Sequence, residues 1–246
     1  GTSVAEGPKR LLGENILAVS LALGIGMFAG AVLLAARVVY QRDLRSFVWP
    51  GRRFDRRQML LGFVLMAAVI TLILPFGLLS GDLPAPPIFN TAYPIETRFA
   101  YAAVMAAALL VAAAGEEIML RSVVLQVSAG FMRRAWLICL INGLVFSAMH
   151  LDPDPIAFIA RALSGIVWSW AAIRLGGIEF AVGAHWANNL YIALFLEPFS
   201  TAAEVGRKSS VADLAPELIT AVIVLIFIER LARQRRLPPL AEPATT

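Results

Sequence analysis

Six side chains in this sequence carry the groups that amide hydrolysis needs. Glu116, Glu117 and Arg121 lie within Gly115-Glu116-Glu117-Ile118-Met119-Leu120-Arg121. The only two histidines follow, His150 closing Phe146-Ser147-Ala148-Met149-His150 and His185 opening His185-Trp186-Ala187-Asn188-Asn189. A carboxylate can take a proton from water while an imidazole orients it. A second imidazole and the amide of Asn189 can then stabilise a tetrahedral oxyanion. Asn188 also lies near His185 in sequence, and spacing does not exclude it. The same groups offer a second chemistry: two histidine nitrogens and a glutamate oxygen, here Glu116, His150 and His185, are the ligand types of a catalytic zinc. No HExxH spacing is present, so separate helices would have to assemble such a site.

Helical spacing divides the two glutamates. Glu117 and Arg121 are four apart, share a face and can pair. Glu116 points about 100° away and has no local cation, so its partners must come from other segments. All three interrupt an apolar run, where each charge costs about 2.5–3.5 kcal/mol at the helix centre. An intramembrane ionisable cluster reads as a functional site; the bland alternative is polar glue between helices.

The elements that must position these groups are membrane helices. The chain has 246 residues, 59% hydrophobic, with mean hydropathy +0.75, far above a soluble domain. Its net charge of +4 does not argue for nucleic acid, because the arginines cluster at segment ends, where they set topology. Cys139 is alone in an apolar run, which excludes a disulfide framework and reads as a small buried hydrophobe. Asn15 to Ala36 is an uncharged run too long for a signal-peptide core and suited to a span. The pattern predicts helices over 15–40, 59–79, 99–130, 135–151, 156–173, 178–196 and 214–228: an all-α polytopic bundle of about seven spans. Three parts follow, a tail over 1–14, the bundle over 15–229 and a basic, proline-containing tail over 230–246. The loop after the first helix (Arg42, Arg45, Arg52, Arg53, Arg56, Arg57), the Arg133-Arg134 turn and the C-terminal tail are basic. With seven spans they fall on one side, which the positive-inside rule assigns to the cytoplasm.

Glu116-Glu117-x-x-x-Arg121, Phe146-x-x-x-His150 and His185-x-x-x-Asn189, in that order, resemble the three motifs of the CAAX protease and bacteriocin-processing (CPBP) family of intramembrane endopeptidases. The resemblance covers about Ala114 to Leu190. One departure is visible: where the family commonly has Phe-Arg-Gly, this chain has Leu120-Arg121-Ser122. The resemblance implies that Glu116 and His150 activate water, that His185 and Asn189 stabilise the oxyanion, and that Glu117 with Arg121 supports the site. Family members have been described both as metalloproteases and as metal-independent glutamate proteases. The shortage of ligands and the pairing of Glu117 with Arg121 favour no permanent zinc.

The expected protein is thus a multi-pass membrane endopeptidase of a bacterial inner membrane. Its partners would be the lipid bilayer and a membrane-embedded or lipid-anchored polypeptide substrate. Two other classes share these residues: a non-catalytic scaffold or immunity protein of the same fold, and an ion-coupled transporter. Arg161 reads as a structural ion pair rather than a carboxylate-binding site, and Asp152 and Asp154 as a solvated turn rather than a calcium loop.

Overall fold

A computed structural model describes residues 6–78, 87–91, 93–196, 198–202 and 208–235. Residues 79–86 and the tail beyond residue 235 lie outside the described residues. The chain forms α1 (Glu6–Tyr40), α2 (Leu44–Val48), α3 (Arg56–Leu78) and α4 (Ile95–Glu117). A π-helical segment (Ile118–Val124) continues α4 directly into α5 (Leu125–Phe131). Then come α6 (Ala135–Ala148), α7 (Pro155–Leu175), α8 (Glu179–Tyr191), a second π-helical segment (Ile192–Leu196), the short α9 (Phe199–Ala202) and α10 (Leu214–Gln234). No strand occurs among the described residues. The protein is an all-α polytopic helical bundle.

All seven expected helices are present, with shifted ends. The first begins at Glu6 rather than near Asn15, and the last runs to Gln234. Among the described residues, five helical stretches are long and apolar enough to cross a membrane. The helix carrying the acidic cluster is 37 residues long, counted through its π-helical turns. α6 has only 14 residues, about 21 Å at 1.5 Å per residue, which is short of a bilayer core of about 30 Å. It ends at Ala148, short of the expected Leu151, because Leu151 adopts a left-handed backbone (φ 53°), and Pro153 keeps Asp152 out of the helical region beyond it.

Helix contacts follow side-chain size. α1 buries Leu11, Ala18, Ala22, Ala29 and Ala36 and exposes Leu12, Ile16, Met27 and Phe28. The small residues form one stripe, which packs against α4. Large apolar groups facing outward and small ones facing a neighbour are the pattern of a helix in lipid. α6 crosses α7 where Gly143 meets Gly165; a Cβ on Gly165 would stand 2.8 Å from the Gly143 Cα. α8 packs on α3 through Gly183, where a Cβ would collide with the Met59 carbonyl. These close approaches bring α3, α6, α7 and α8, with Met119 and Leu120 of the π-helical segment, into one core around Phe146, Trp168, Phe180 and Ala184.

The basic loop, the α7–α8 turn and the C-terminal end of α10 meet on one side. Arg52 donates to the Gly176 carbonyl at 2.7 Å and to Glu179, and Arg235 reaches Asp55 at 3.2 Å. Gln126 of α5 donates to the Phe47 carbonyl, which adds the end of the long acidic helix to the same side.

Candidate active site

Glu117 lies at the end of α4 with no solvent exposure. Its Oε1 accepts from Arg121 Nη1 at 3.2 Å and lies 2.9 Å from His185 Nδ1. The Glu117–Arg121 pair is therefore present, and it gains a partner that spacing along one helix does not reveal. Arg121 also donates to the Gly165 carbonyl at 3.2 Å. Its guanidinium stands 4.7 Å from the Phe146 ring and 5.5 Å from Trp168. Two aromatic faces and a carbonyl thus share the burial of one cation.

Glu116 points elsewhere, as its position on the helix requires. Its side chain is 16% exposed and its Oε2 lies 3.8 Å from His185 Nε2. His185 therefore sits between the two carboxylates, with Glu117 at one ring nitrogen and Glu116 near the other. Its ring is stacked on Trp168 with centroids 4.3 Å apart, so the plane as well as the position is held.

His150 follows the last turn of α6. Its Nδ1 lies 2.9 Å from the Phe146 carbonyl oxygen. A carbonyl only accepts, so Nδ1 carries the proton and the neutral ring presents Nε2 as an acceptor. The ring lies within electrostatic reach of Glu116, His185 and Arg161. Phe146 explains the Phe-x-x-x-His spacing: one turn before His150, it makes edge contacts with His150, Trp168 and His185. Asn189 is one turn beyond His185 on α8. Its Oδ1 accepts from Asn188 at 3.2 Å, a bond that does not use its Nδ2 donors. Among the described residues, no hydrogen bond joins Asn189 to Glu116 or to either histidine.

The structure thus brings Glu116, Glu117, Arg121 and His185 into direct proximity, and His150 joins them through the Phe146 ring, which contacts both histidines. The donor types of a zinc site are present, but among the described residues no three such groups lie close enough to hold one ion. As packed they do not form a zinc site.

Two residues that support the site escaped the sequence reading. Asn142, fully buried, donates from Nδ2 to the Leu120 carbonyl at 2.9 Å. Its Oδ1 accepts from Ser169 at 2.8 Å, and the Ser169 hydroxyl also lies 2.7 Å from the Gly165 carbonyl. Leu120 sits in the π-helical segment, where the widened turn pairs Leu125 N–H with the Leu120 carbonyl. Such segments occur often at functional sites. Asn142 thus ties the irregular turn beyond the acidic pair to α6 and, through Ser169, to α7. A lone amide in the apolar run from Trp136 to Phe146 was the available signal; the same lipid-cost argument that singles out charges applies to it.

The entry to α7 differs from expectation. Asp152 is not solvated: its side chain is 4% exposed and its Oδ2 lies 2.8 Å from Arg161 Nη1. The contact is an ion pair without hydrogen-bond alignment, which gives Arg161 its expected structural partner. Burial follows because α7 carries Arg161 back over the turn. Asp154 caps α7, accepting from Ile156 and Ala157 N–H at 2.9 and 2.8 Å and from Ser209 N–H at 3.0 Å. These bonds, Ala157's foremost, hold its carboxyl below the ordinary 3.8. A depressed folded pKa means the stabilisation is complete above the unfolded value and disappears as pH falls through the folded one. The melting-temperature difference between wild type and Asp154→Ala should therefore be constant near neutrality and shrink below about pH 4. A difference that persists or grows there would remove the carboxylate from the cap.

Residues 98–191, which hold all three motifs, match the family model described as type II CAAX prenyl endopeptidase Rce1-like. Among curated proteins, the uncharacterized protein YyaK of Bacillus subtilis (strain 168) is 26% identical over 222 residues, covering 85% of this chain and 69% of YyaK. No solved structure matches the chain. The chain is a multi-pass membrane protein, and its residues 98–191 are an Rce1-like domain of the CPBP family, the family its three motifs resemble.

Proposed function

We propose that the protein is an intramembrane endopeptidase hydrolysing a peptide bond of a membrane-embedded or lipid-anchored polypeptide, in a bacterial inner membrane with the basic side toward the cytoplasm. The observation that carries this reading is His185 between two carboxylates, one buried and ion-paired, the other partly open. Glu116 is the general base. It takes a proton from water, whose second hydrogen is directed to His150 Nε2, while the oxygen attacks the scissile carbonyl carbon. The oxyanion accepts from His185 and from Asn189 Nδ2. Nδ1 of His185 faces Glu117 at 2.9 Å, so donation from Nε2 to the oxyanion requires a proton on both ring nitrogens. The C–N bond breaks as the proton on Glu116 passes to the leaving amine.

The test is a cleavage assay with the full chain in liposomes, using a prenylated peptide with a CAAX terminus and its unprenylated twin, read by mass spectrometry. Release of a C-terminal fragment by wild type, with loss in His150→Ala, supports the reading. If His150→Ala cleaves as fast as wild type, the water-activating role falls. If wild type cleaves neither peptide and Glu116→Gln changes no measured property, the chain is better described as a scaffold of the same fold.

A further inference from the structure

On the basic side, a cavity of about 610 Å³ opens where three helices end together. Its wall includes Arg53, Arg56, Arg57, Gln58, Leu175 and Arg235. The membrane-crossing stretches Arg56–Ile73, Pro155–Leu175 and Val211–Gln234 start or finish at this wall, so the cavity lies at the depth of lipid headgroups. Arg52 and Arg235 also border it, but Glu179 and Asp55 balance them. Arg53, Arg56 and Arg57 are exposed, and among the described residues none of the three forms an ion pair. Topology alone explains arginines on this side. It does not explain Gln58, which lines the same cavity, is 2% exposed, and has an Oε1 that meets no donor among the described residues. A buried acceptor without a donor calls for a partner. Below the arginines, Leu60 and Val64 are 61% and 55% exposed; they continue the face of Arg56 at intervals of four residues.

We propose that this cavity binds the headgroup of an anionic glycerophospholipid that carries a headgroup hydroxyl, of the phosphatidylglycerol type. The phosphate lies among Arg53, Arg56 and Arg57, whose forked guanidinium groups suit phosphate oxygens. The headgroup hydroxyl donates to Gln58 Oε1. The acyl chains run down α3 over Leu60 and Val64. The inference does not depend on the protein being a protease.

The experiment titrates the detergent-solubilised full chain with short-chain phosphatidylglycerol, phosphatidylcholine, phosphatidic acid and soluble glycerol 3-phosphate, reading melting temperature and native mass spectra. Phosphatidylglycerol should bind and raise the melting temperature, and phosphatidylcholine should not. Arg53→Gln with Arg57→Gln should weaken phosphatidylglycerol binding about 25-fold, about fivefold for each basic residue. Gln58→Leu should weaken phosphatidylglycerol but leave phosphatidic acid, which has no headgroup hydroxyl, unchanged. It reads the site independently if the double variant does not fold. Equal effects of phosphatidylglycerol and phosphatidylcholine would overturn the site. Glycerol 3-phosphate as potent as the lipid would make the ligand a free phosphate and overturn the lipid assignment. Unchanged phosphatidylglycerol binding in Gln58→Leu would remove the hydroxyl contact on which the headgroup class rests.

Discussion

Glu116→Gln should lower turnover by about 10²–10⁴-fold, the usual cost of losing a positioned base, and leave the melting temperature within a few degrees of wild type. The two halves of this expectation come from the same geometry. Glu116 is partly exposed, accepts no hydrogen bond from any described residue, and has its nearest ring nitrogen, His185 Nε2, at 3.8 Å. Little of the fold therefore rests on its charge. Glutamine keeps the size and one acceptor oxygen but cannot take a proton from water. The measurement is initial rate per folded molecule beside a melting curve in the same detergent. A variant that melts early yet stays active per folded molecule would make Glu116 a structural residue and move the base elsewhere.

The helices were legible because lipid imposes a simple rule: runs of about twenty apolar residues bounded by charges or proline. Where that rule is the cause, as for α1, α7 and α10, the expected and observed segments agree to within a turn or two except at the start of α1. Glu117–Arg121 was legible for the same kind of reason, since both groups lie on one helix at a fixed spacing. The contact between His185 and Glu117 was not, because it joins residues 68 apart in the chain and depends on how α8 rotates against α4. The π-helical turn at Ile118–Val124 was also hidden. Its sequence, Ile-Met-Leu-Arg-Ser-Val-Val, suits an ordinary helix, and the wider turn is supported from α6 by Asn142. Asp152 was misread because its local neighbours are turn-forming prolines, while the group that buries it, Arg161, arrives from the second turn of α7. In each case the missing information is a contact between elements rather than a property of one.

Glu117→Gln should act on the fold first. The Glu117 and Arg121 side chains are fully buried, and removing one partner of a buried pair costs about 3–5 kcal/mol because the other charge is stranded. Arg121 keeps its bond to the Gly165 carbonyl and its two aromatic faces, which places the loss at the lower end, about 3 kcal/mol. On soluble-protein scaling for a chain of this size, that corresponds to a fall in melting temperature of roughly 6–12 °C. Activity should fall too, since His185 Nδ1 loses the carboxylate that holds its ring at 2.9 Å. Adding Arg121→Met separates these effects. Methionine leaves no stranded charge, so the double variant should recover part of the lost melting temperature. It should not recover activity, because nothing restores a carboxylate beside His185 Nδ1. Melting curves and cleavage rates for wild type, Glu117→Gln and the double variant decide the matter. If Glu117→Gln is as stable as wild type but inactive, while Glu116→Gln is unstable and active, the two adjacent carboxylates have exchanged roles, with Glu117 the base and Glu116 the support.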